Sequence, residues 1–203
     1  MPHKIRKQTA MRGVRTIWFD LETTGLNPFH NRIIEIAAVD CQDDAFQSLI
    51  KIDHPLDPKI IEITKITDAM LNENGQDEQE IMQKFHNYMT SSRASYARTF
   101  MIAHNGDSFD RMFLKTAMKK YGLSIPSNVF FIDSLHFARM NLPNRTSFKQ
   151  EYLAERFKIA NPAAHRAYGD VVVLREIWKH LVDIFARTNP RSDIINIYNS
   201  IYF

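Results

Sequence analysis

The sequence predicts an α/β protein with a mixed β-sheet and helices packed on its faces. Three short apolar segments in the first fifty residues have the composition of strands, and turn signals separate them. Helical and strand-like segments then alternate along the rest of the 203-residue chain. A run of strands followed by such alternation is typical of this class, and the length suits one domain.

The strands are predicted at residues 14–19, 32–40, 45–52, 99–103 and 129–132. The first three follow one another through short turns, so an antiparallel meander is expected, with the third strand at an edge of the sheet. Apolar residues at helical spacing predict helices at 76–89, 110–121, 134–140, 147–157 and 165–186. Gly122 is the expected end of the second helix. Residues 53–75 contain two prolines and a glycine, and are expected to be a connecting segment with one short helical turn.

The composition excludes several classes of protein. A single cysteine, Cys41, rules out an internal disulfide and fits a reducing compartment. No apolar run approaches the ~18 residues that a membrane span needs, and no apolar core of a signal peptide is visible. We therefore expect an intracellular protein, cytoplasmic or nuclear, without a membrane partner.

The net charge of +3 is unevenly distributed. Residues 1–15 contain five basic residues and no acid, whereas the remainder has 21 basic and 23 acidic residues. We expect a basic N-terminal arm at 1–13, which is either a solvated terminus or a contact for a polyanion. The domain would then span 14–189. Residues 190–203 are rich in apolar and aromatic side chains, and are expected to pack back on the domain or to bind a partner.

Two acids stand at the end of the first predicted strand. Asp20 and Glu22 are two residues apart, so their side chains leave the strand on the same face. Open α/β sheets place ligands near the carboxyl ends of their strands. Taken alone, the pair indicates either a strand that emerges into solvent or a cation site.

A second group of polar residues follows the fourth predicted strand. His104 and Asn105 come directly after it, and Asp110 lies in the first turn of the next predicted helix. Asp107 or Ser108 is expected to cap that helix. An acid in a first helical turn is also a common partner of the helix dipole, so Asp110 alone does not define a site.

A third group precedes the last predicted helix. Asp170 lies beside the apolar residues that follow it, and His165 is five positions earlier. Residues five apart do not overlie one another on a helix, so His165 is expected at the helix entry or on the preceding loop. Each of the two is equally compatible with a structural role.

Together these groups indicate one chemistry. Four carboxylates near the ends of apolar elements form an oxygen-only ligand set, which suits Mg²⁺ or Mn²⁺ rather than zinc. Two such ions can clamp an in-line displacement at phosphorus. A histidine can accept a proton from the attacking water near neutral pH. The residues are therefore equipped to hydrolyse a phosphodiester.

The three motifs that carry these residues are "FDLETTGL" (19–26), "AHNGDSFD" (103–110) and "HRAYGD" (165–170). With "RIIEIAAV" and "ITKIT" between the first two, they resemble the DEDDh 3′–5′ exonucleases of the RNase H-like fold over roughly residues 14–185. The histidine five positions before Asp170 is the DEDDh pattern. The related DEDDy enzymes have a tyrosine four positions before it, where this chain has Arg166. The longer second motif is similar to that of the three-prime repair exonucleases, and less like those of bacterial proofreading subunits and oligoribonuclease.

The resemblance implies an RNase H-like exonuclease fold with a central five-stranded mixed sheet, two Mg²⁺ ions per site with Mn²⁺ as a substitute, and a role for each residue. Asp20 would bridge both metals, Glu22 and Asp170 would complete the site of the metal that holds the water, and Asp110 would support the second metal. His165 would be the general base.

It also implies a set of substrate contacts. Thr23 would contact the 3′-terminal nucleotide, Leu26 would wedge against the last base and Phe109 would pack near the sugar. The other implied contacts are Glu22, Thr24, His104, Asn105 and His165.

The implied function is a metal-dependent 3′–5′ exodeoxyribonuclease that acts on single-stranded DNA or 3′ overhangs with little base preference. Three alternatives remain: a 3′–5′ exoribonuclease acting on short RNA, a proofreading subunit that docks on a polymerase through 190–203, and a binding module without catalysis. We also expect two copies of the chain to pair through the edge strand at 45–52. Two features described for the three-prime repair enzymes, a proline-rich loop and a C-terminal hydrophobic extension, are missing from this sequence.

Overall fold

The computed structural model describes residues 13–91, 98–142, 146–160 and 166–189. The strands in these ranges are β1 (Val14–Thr23), β2 (Ile33–Asp40), β3 (Ala45–Leu49), β4 (Arg98–Ala103) and β5 (Val129–Asp133). They form one sheet in the order β3-β2-β1-β4-β5. β1 is antiparallel to β2 and parallel to β4, and β5 is parallel to β4. The predicted mixed five-stranded sheet is confirmed, with β3 at one edge.

The helices in the same ranges are α1 (Pro58–Thr64), α2 (Asp68–Asn74), α3 (Glu78–Thr90), α4 (Asp110–Lys120), α5 (Ser134–Asn141), α6 (Gln150–Phe157) and α7 (Ala167–Thr188). Four begin at a side chain that accepts a hydrogen bond from a backbone N–H of the first turn, as capping requires. Gly122, with a φ of +69°, follows the last turn of α4. None of the helices described is both long and apolar enough to cross a membrane.

The connecting segment at 53–75 contains two helices, so the prediction of one short turn there is wrong. Asp57 caps α1 and Thr67 caps α2. The apolar residues of this segment, including Ile66 and Leu71, form a small core with Ile34 of β2. Both helices therefore form despite the prolines, because each has a local cap and their apolar residues share one small core. α6 and α7 begin three and two residues later than predicted.

Strand β1 is longer than predicted, and this places two of the predicted metal ligands inside it. Its pairing with β2 runs from Ile17 to Thr23, whereas its pairing with β4 ends at Trp18. Asp20 and Glu22 therefore occupy ladder positions rather than a turn. Polar side chains do not interrupt a strand when the backbone remains paired on one side.

The two faces of β1 pack against different helices. Ile17, Phe19 and Leu21 belong to the larger core, which also contains residues of α3 and α4. Trp18 belongs to the core beneath α7. Because alternate residues share a face, Asp20 and Glu22 lie on the α7 side of the sheet. The alternation of the strand therefore directs both acids toward the helix that carries Asp170.

A buried ion pair ties the start of β1 to the end of β2. The Arg15 guanidinium donates to Asp40 Oδ2 from Nε at 2.9 Å, and its Nη2 lies 2.8 Å from the same oxygen. It also donates to the carbonyl of Tyr88 and covers the Tyr88 ring. The two charged side chains are 2% and 4% exposed, so neither can be rehydrated if the other is removed.

We expect Asp40→Asn to lower the free energy of unfolding by about 3 kcal/mol, because the buried guanidinium would lose its counter-charge. Denaturant unfolding followed by circular dichroism measures this. The matched control is Asp43→Asn, which removes an ion pair with Arg175 whose acid is 82% exposed. The control should change the free energy by no more than about 0.5 kcal/mol. Equal effects of the two substitutions would contradict the structural role of the buried pair.

Candidate metal centre and cleft

Three of the four predicted metal ligands converge on one point. Asp20 and Glu22 project from β1, and Asp170 lies in the first turn of α7. One carboxylate oxygen from each lies within 4.8 Å of the other two. A single cation could therefore contact all three groups after small side-chain movements.

Asp110, the fourth predicted ligand, lies next to this cluster, beside the edge of β1 that β4 leaves unpaired. It is the first residue of α4 and is 2% exposed. Its Oδ1 accepts a hydrogen bond from Leu21 N at 3.2 Å. That amide belongs to the part of β1 that extends beyond β4, so the carboxylate satisfies a backbone donor between the two predicted ligands on the strand.

The electrostatics of the cluster favour a cation. Burial, with the charges of Asp110, Glu22 and Asp170, raises the pKa of Asp20 well above its usual range. Burial, with Asp170 and neighbouring acids, raises the pKa of Glu22 to about 8. Burial also raises the pKa of Asp110 to about 7. Carboxylates this close cannot all ionise without a compensating charge, and an all-oxygen set suits Mg²⁺ or Mn²⁺.

Backbone contacts fix the position of Asp170. Its N–H donates to Arg166 O at 3.0 Å, which is the first helical bond of α7. Its carbonyl accepts from Gln150 Nε2 at 2.9 Å, so α6 braces the same turn. His165, the predicted general base, lies outside the described residues, and the first described residue after it is Arg166.

The cluster opens into a cleft of about 670 Å³. Asp20 and Asp170 line it, with the predicted contacts His104 and Asn105. Residues of α5, α6 and the segment before α6 also line it, and among them are two cations, Arg139 and Lys149. Sequence reasoning did not select these cations. The basic character of 139–149 was the available signal, but it did not indicate which residues face the cleft.

His104 is held by hydrogen bonds on both ring nitrogens. Nε2 lies 2.8 Å from the Phe148 carbonyl, and Nδ1 lies 2.8 Å from Ser134 Oγ. Because a carbonyl only accepts, Nε2 must carry the hydrogen, and Nδ1 of the neutral ring accepts from the serine hydroxyl. Burial lowers the pKa of His104, which favours this neutral form. A substrate contact from His104 would therefore use the ring face.

The residues next to His104 form a tight turn. Asn105 has a φ of +63°, and its N–H donates to Asp133 Oδ1 at 3.0 Å. Phe109, not Asp107 or Ser108, is the residue before α4, and no side chain caps the helix. The capping prediction is therefore wrong. Asp107 instead pairs with Arg111 at 3.1 Å, one turn along.

Asp107, Asp133 and His136 form a second acidic group whose atoms lie close enough to share an ion. The Asp133 carboxylate already accepts from the backbone N–H groups of Asn105, Asp107 and Leu135. It thus ties the turn after β4 to the start of α5.

The loop after β1 presents Leu26 to solvent on a braced scaffold. Thr24 N donates to Arg32 O at 2.9 Å, and Arg32 N donates to Thr24 Oγ1 at 3.0 Å. A Cβ at Gly25 would lie 2.7 Å from the Asn31 side chain, so only glycine fits without displacing it. Leu26 is 84% exposed on this closed loop. An apolar side chain held in water by a rigid loop is available for an external ligand.

The other two predicted contacts are less accessible. Thr23 is 6% exposed, and its hydroxyl donates to Gly25 O at 2.6 Å. Phe109 is half-buried, with its ring centroid 4.8 Å from that of Phe113. Both therefore brace the rim, and Thr23 can offer a substrate only its backbone.

Comparison with known proteins agrees with this architecture. A family model described as exonuclease, RNase_T, matches residues 17–177. The fold and the matched region together define the chain as an exonuclease-type α/β domain. The chain belongs to the RNase_T exonuclease family, which confirms the family assignment made from the motifs. The DEDDh subtype and the finer likeness to three-prime repair exonucleases stay predictions.

Two curated relatives illustrate the match. "DNA polymerase III PolC-type" of Halalkalibacterium halodurans is 34% identical over 184 residues, which cover 88% of this chain and 12% of the relative. "Exonuclease DPD1, chloroplastic/mitochondrial" of Arabidopsis thaliana is 31% identical over 198 residues, which cover 86% of this chain and 61% of the relative. The chain thus spans about one eighth of the polymerase and about three fifths of the plant protein.

Solved structures share the fold. E. coli exonuclease I in complex with a dT13 oligonucleotide superposes with a TM-score of 0.71 at 20% identity, covering 88% of this chain and 42% of that one. The zinc-bound complex of the same enzyme with single-stranded DNA has a TM-score of 0.72 at 20% identity, over 89% and 42% of the two chains. The predicted exonuclease fold is confirmed.

The raised pKa of Glu22 leads to a prediction for the metal-free protein. A carboxyl titrating near 8 when folded and near its ordinary 4.5 when unfolded keeps its proton longer in the folded chain. The contribution to stability is complete below pH ~4.5 and is lost as the pH rises toward 8 and above. In chelator at pH 8.5, Glu22→Gln should therefore raise the free energy of unfolding by about 1–2 kcal/mol, after allowance for solvent screening.

Thermal unfolding at pH 5 and pH 8.5 measures this, since the stabilisation should be much smaller at pH 5. Glu62→Gln is the matched control, because Glu62 is an exposed acid on α1, and it should leave the melting temperature unchanged at both values. A lower melting temperature for Glu22→Gln at pH 8.5 would show that the carboxylates of the cluster do not repel one another.

Proposed function

We propose that the chain is a metal-dependent 3′–5′ exonuclease that releases nucleoside 5′-monophosphates from the 3′ ends of DNA. The observation that carries this proposal is the cluster of Asp20, Glu22 and Asp170 beside Asp110, which opens into a cleft that two cations also line. Membership of the exonuclease family supports it. The complexes of exonuclease I with single-stranded oligonucleotides support single-stranded or frayed ends as the preferred substrate.

The residues take the following roles in this proposal. Asp20, Glu22 and Asp170 would hold the ion that activates the water, and Asp20 with Asp110 would hold the second ion. Two Mg²⁺ ions, or Mn²⁺ in their place, would when bound polarise the scissile phosphate and acidify the attacking water. His165 accepts the proton from that water, whose oxygen forms a bond to phosphorus. The bond from phosphorus to the 3′ oxygen breaks, and that oxygen leaves with the shortened strand and takes up a proton.

The cleft suits a terminal nucleotide. Two of the oxygen ligands, Asp20 and Asp170, line the cleft together with Arg139 and Lys149, so the cleft combines a cation site with positive charge for neighbouring phosphates. Leu26 lies on the loop directly after Glu22 and could pack against the last base. Stacking and phosphate contacts of this kind tolerate any sequence, so little base preference is expected.

Asp20→Ala should reduce exonuclease activity by at least about 1000-fold, equivalent to roughly 4 kcal/mol of transition-state stabilisation. The assay follows a 5′-labelled DNA oligonucleotide in Mg²⁺ and in chelator, and the native chain should produce a ladder of shortened products only with metal. Asp53→Ala, an exposed acid whose side chain is 85% accessible, is the control and should remain active.

The same assay identifies the substrate. An RNA of equal sequence should be digested more slowly than the DNA if the proposal is right. Faster digestion of RNA would replace it with an exoribonuclease, because the same acids serve either sugar and the 2′-hydroxyl distinguishes the two. Digestion that persists in chelator or in Asp20→Ala would remove the metal mechanism altogether.

Leu26→Ala should raise KM about fivefold, or roughly 1 kcal/mol, without changing the melting temperature, because the side chain makes few contacts within the protein. Steady-state kinetics on single-stranded DNA and thermal unfolding separate the two effects. Phe29→Ala is the matched control, since Phe29 lies on the same loop and is 73% exposed. A similar rise in KM for both variants would indicate a general apolar effect of the loop rather than a contact at Leu26.

Pairing of two copies through β3 remains a further prediction. β3 pairs with β2 on one side only within the sheet, and an edge strand can pair with another chain. Sedimentation velocity of the native chain measures the oligomeric state, and a monomer at micromolar concentration would exclude a stable dimer.

A further inference from the structure

A further carboxylate, outside the predicted ligand set, stands next to the metal ligands. Glu35 of β2 is directly opposite Glu22 in the antiparallel ladder. Residues in this relation point to the same face, with Cβ atoms about 5 Å apart. Glu35 is fully buried, so an additional negative charge lies beneath the acidic cluster.

Glu35 is neutralised by one specific partner. Arg166 donates to Oε2 from Nε at 3.1 Å and to Oε1 from Nη2 at 2.8 Å, which is a two-point pairing. Two further donors complete the set: Ala167 N at 3.1 Å and Gln47 Nε2 at 3.2 Å. Glu35 thus holds the guanidinium that precedes α7 and caps the first N–H of that helix.

Arg166 lies within electrostatic reach of Glu22 as well. The acid that it pairs with, Glu35, stands directly across the ladder from Glu22 on the same face, so the guanidinium bound to Glu35 lies close to the Glu22 side chain. The guanidinium is 31% exposed, so it has room to move. If Glu35 lost its charge, the neighbouring carboxyl group available to Arg166 would be Glu22. An arginine bound there would occupy the carboxylate that a metal ion needs.

We propose that Glu35 is a tether for Arg166, which keeps the guanidinium away from Glu22 and so leaves the acidic cluster free for a cation. Glu35 is a positioning residue: it acts on the metal site through Arg166 and does not ligate the metal. This inference rests on the proposed function, because it assumes that the cluster binds a divalent ion.

The test compares Mn²⁺ binding by isothermal titration calorimetry at one fixed pH for the full-length chain and its variants. Glu35→Gln keeps an oxygen for Ala167 N but loses the charge that holds Arg166. We expect it to weaken Mn²⁺ binding about tenfold. The metal concentration for half-maximal activity should rise by a similar factor, with kcat restored at saturating Mn²⁺.

The double variant Glu35→Gln/Arg166→Gln distinguishes the tether from a general loss of charge. A chain that already carries Arg166→Gln has no guanidinium to compete with the metal ion. Adding Glu35→Gln to that chain should therefore change the Mn²⁺ affinity less than twofold. The effects of the two substitutions would thus be non-additive by at least fivefold, which is the signature of coupled residues. Additive effects would overturn the tether.

Gln47→Ala is the matched control. It removes another hydrogen bond to Glu35 but leaves Arg166 in place, so Mn²⁺ affinity should stay within twofold of native. A loss as large as that of Glu35→Gln would indicate that packing around Glu35, not the guanidinium, decides the affinity.

If Glu35→Gln fails to fold, Arg166→Ala tests the same proposal. The tether predicts Mn²⁺ affinity equal to or above native, since the competitor is gone, and a loss of more than threefold would overturn it. Native affinity in Glu35→Gln, from a chain that digests DNA with Mn²⁺, would overturn the tether and leave the proposed function intact. A native chain that binds no Mn²⁺ would overturn both.

Discussion

The structure depends on one electrostatic conflict: acidic groups that repel one another are held together by a rigid sheet. Asp20 and Glu22 share a face because strand geometry alternates side chains, and α7 brings Asp170 against them. The backbone pairing of β1 fixes these positions whether or not a cation is present. Burial and mutual repulsion raise the pKa values of the acids. The folded chain therefore holds the acids together at a cost in free energy, which either protonation or a bound cation relieves.

The rest of the molecule limits how far the cluster can relax. β1 lies between β2 and β4, with apolar cores on both faces. A slip of one residue would turn Phe19 and Leu21 toward α7 and the acids into the larger core. Gln150 and Asp110 hold the flanking helices to the same region. The cluster cannot spread without breaking sheet pairing or moving a helix.

Much of the fold was predictable because it depends on local patterns. The five strands and the alternation that pairs Asp20 with Glu22 follow from period-two spacing, and the order of the motifs indicated the family. The helices at 58–74 were missed because their caps, Asp57 and Thr67, stand among residues that usually break structure. The capping of α4 was misassigned because Asp107 has a closer partner one turn away.

The site was less predictable where it depends on contacts between distant segments. Glu35 reads in the sequence as one polar residue in an apolar strand, and only the ladder register places it opposite Glu22. Its pairing with Arg166 spans 131 positions along the chain. Arg139 and Lys149 became visible as cleft residues only once α5 and α6 were placed. The position of His104 in the cleft was predictable, but the hydrogen bonds that engage both of its ring nitrogens were not.

The bond between Leu21 N and Asp110 gives this site an unusual relation to its fold. β4 ends before β1 does, so no strand accepts a hydrogen bond from the buried Leu21 amide. The side chain of Asp110, the first residue of α4, accepts it instead. The Asp110 carboxylate therefore also has a structural role, because it accepts a backbone hydrogen bond that the shorter neighbouring strand does not accept. A substitution at position 110 therefore affects folding and charge at once. Asparagine is the substitution that separates them, because its amide oxygen can still accept from Leu21 while the negative charge is gone.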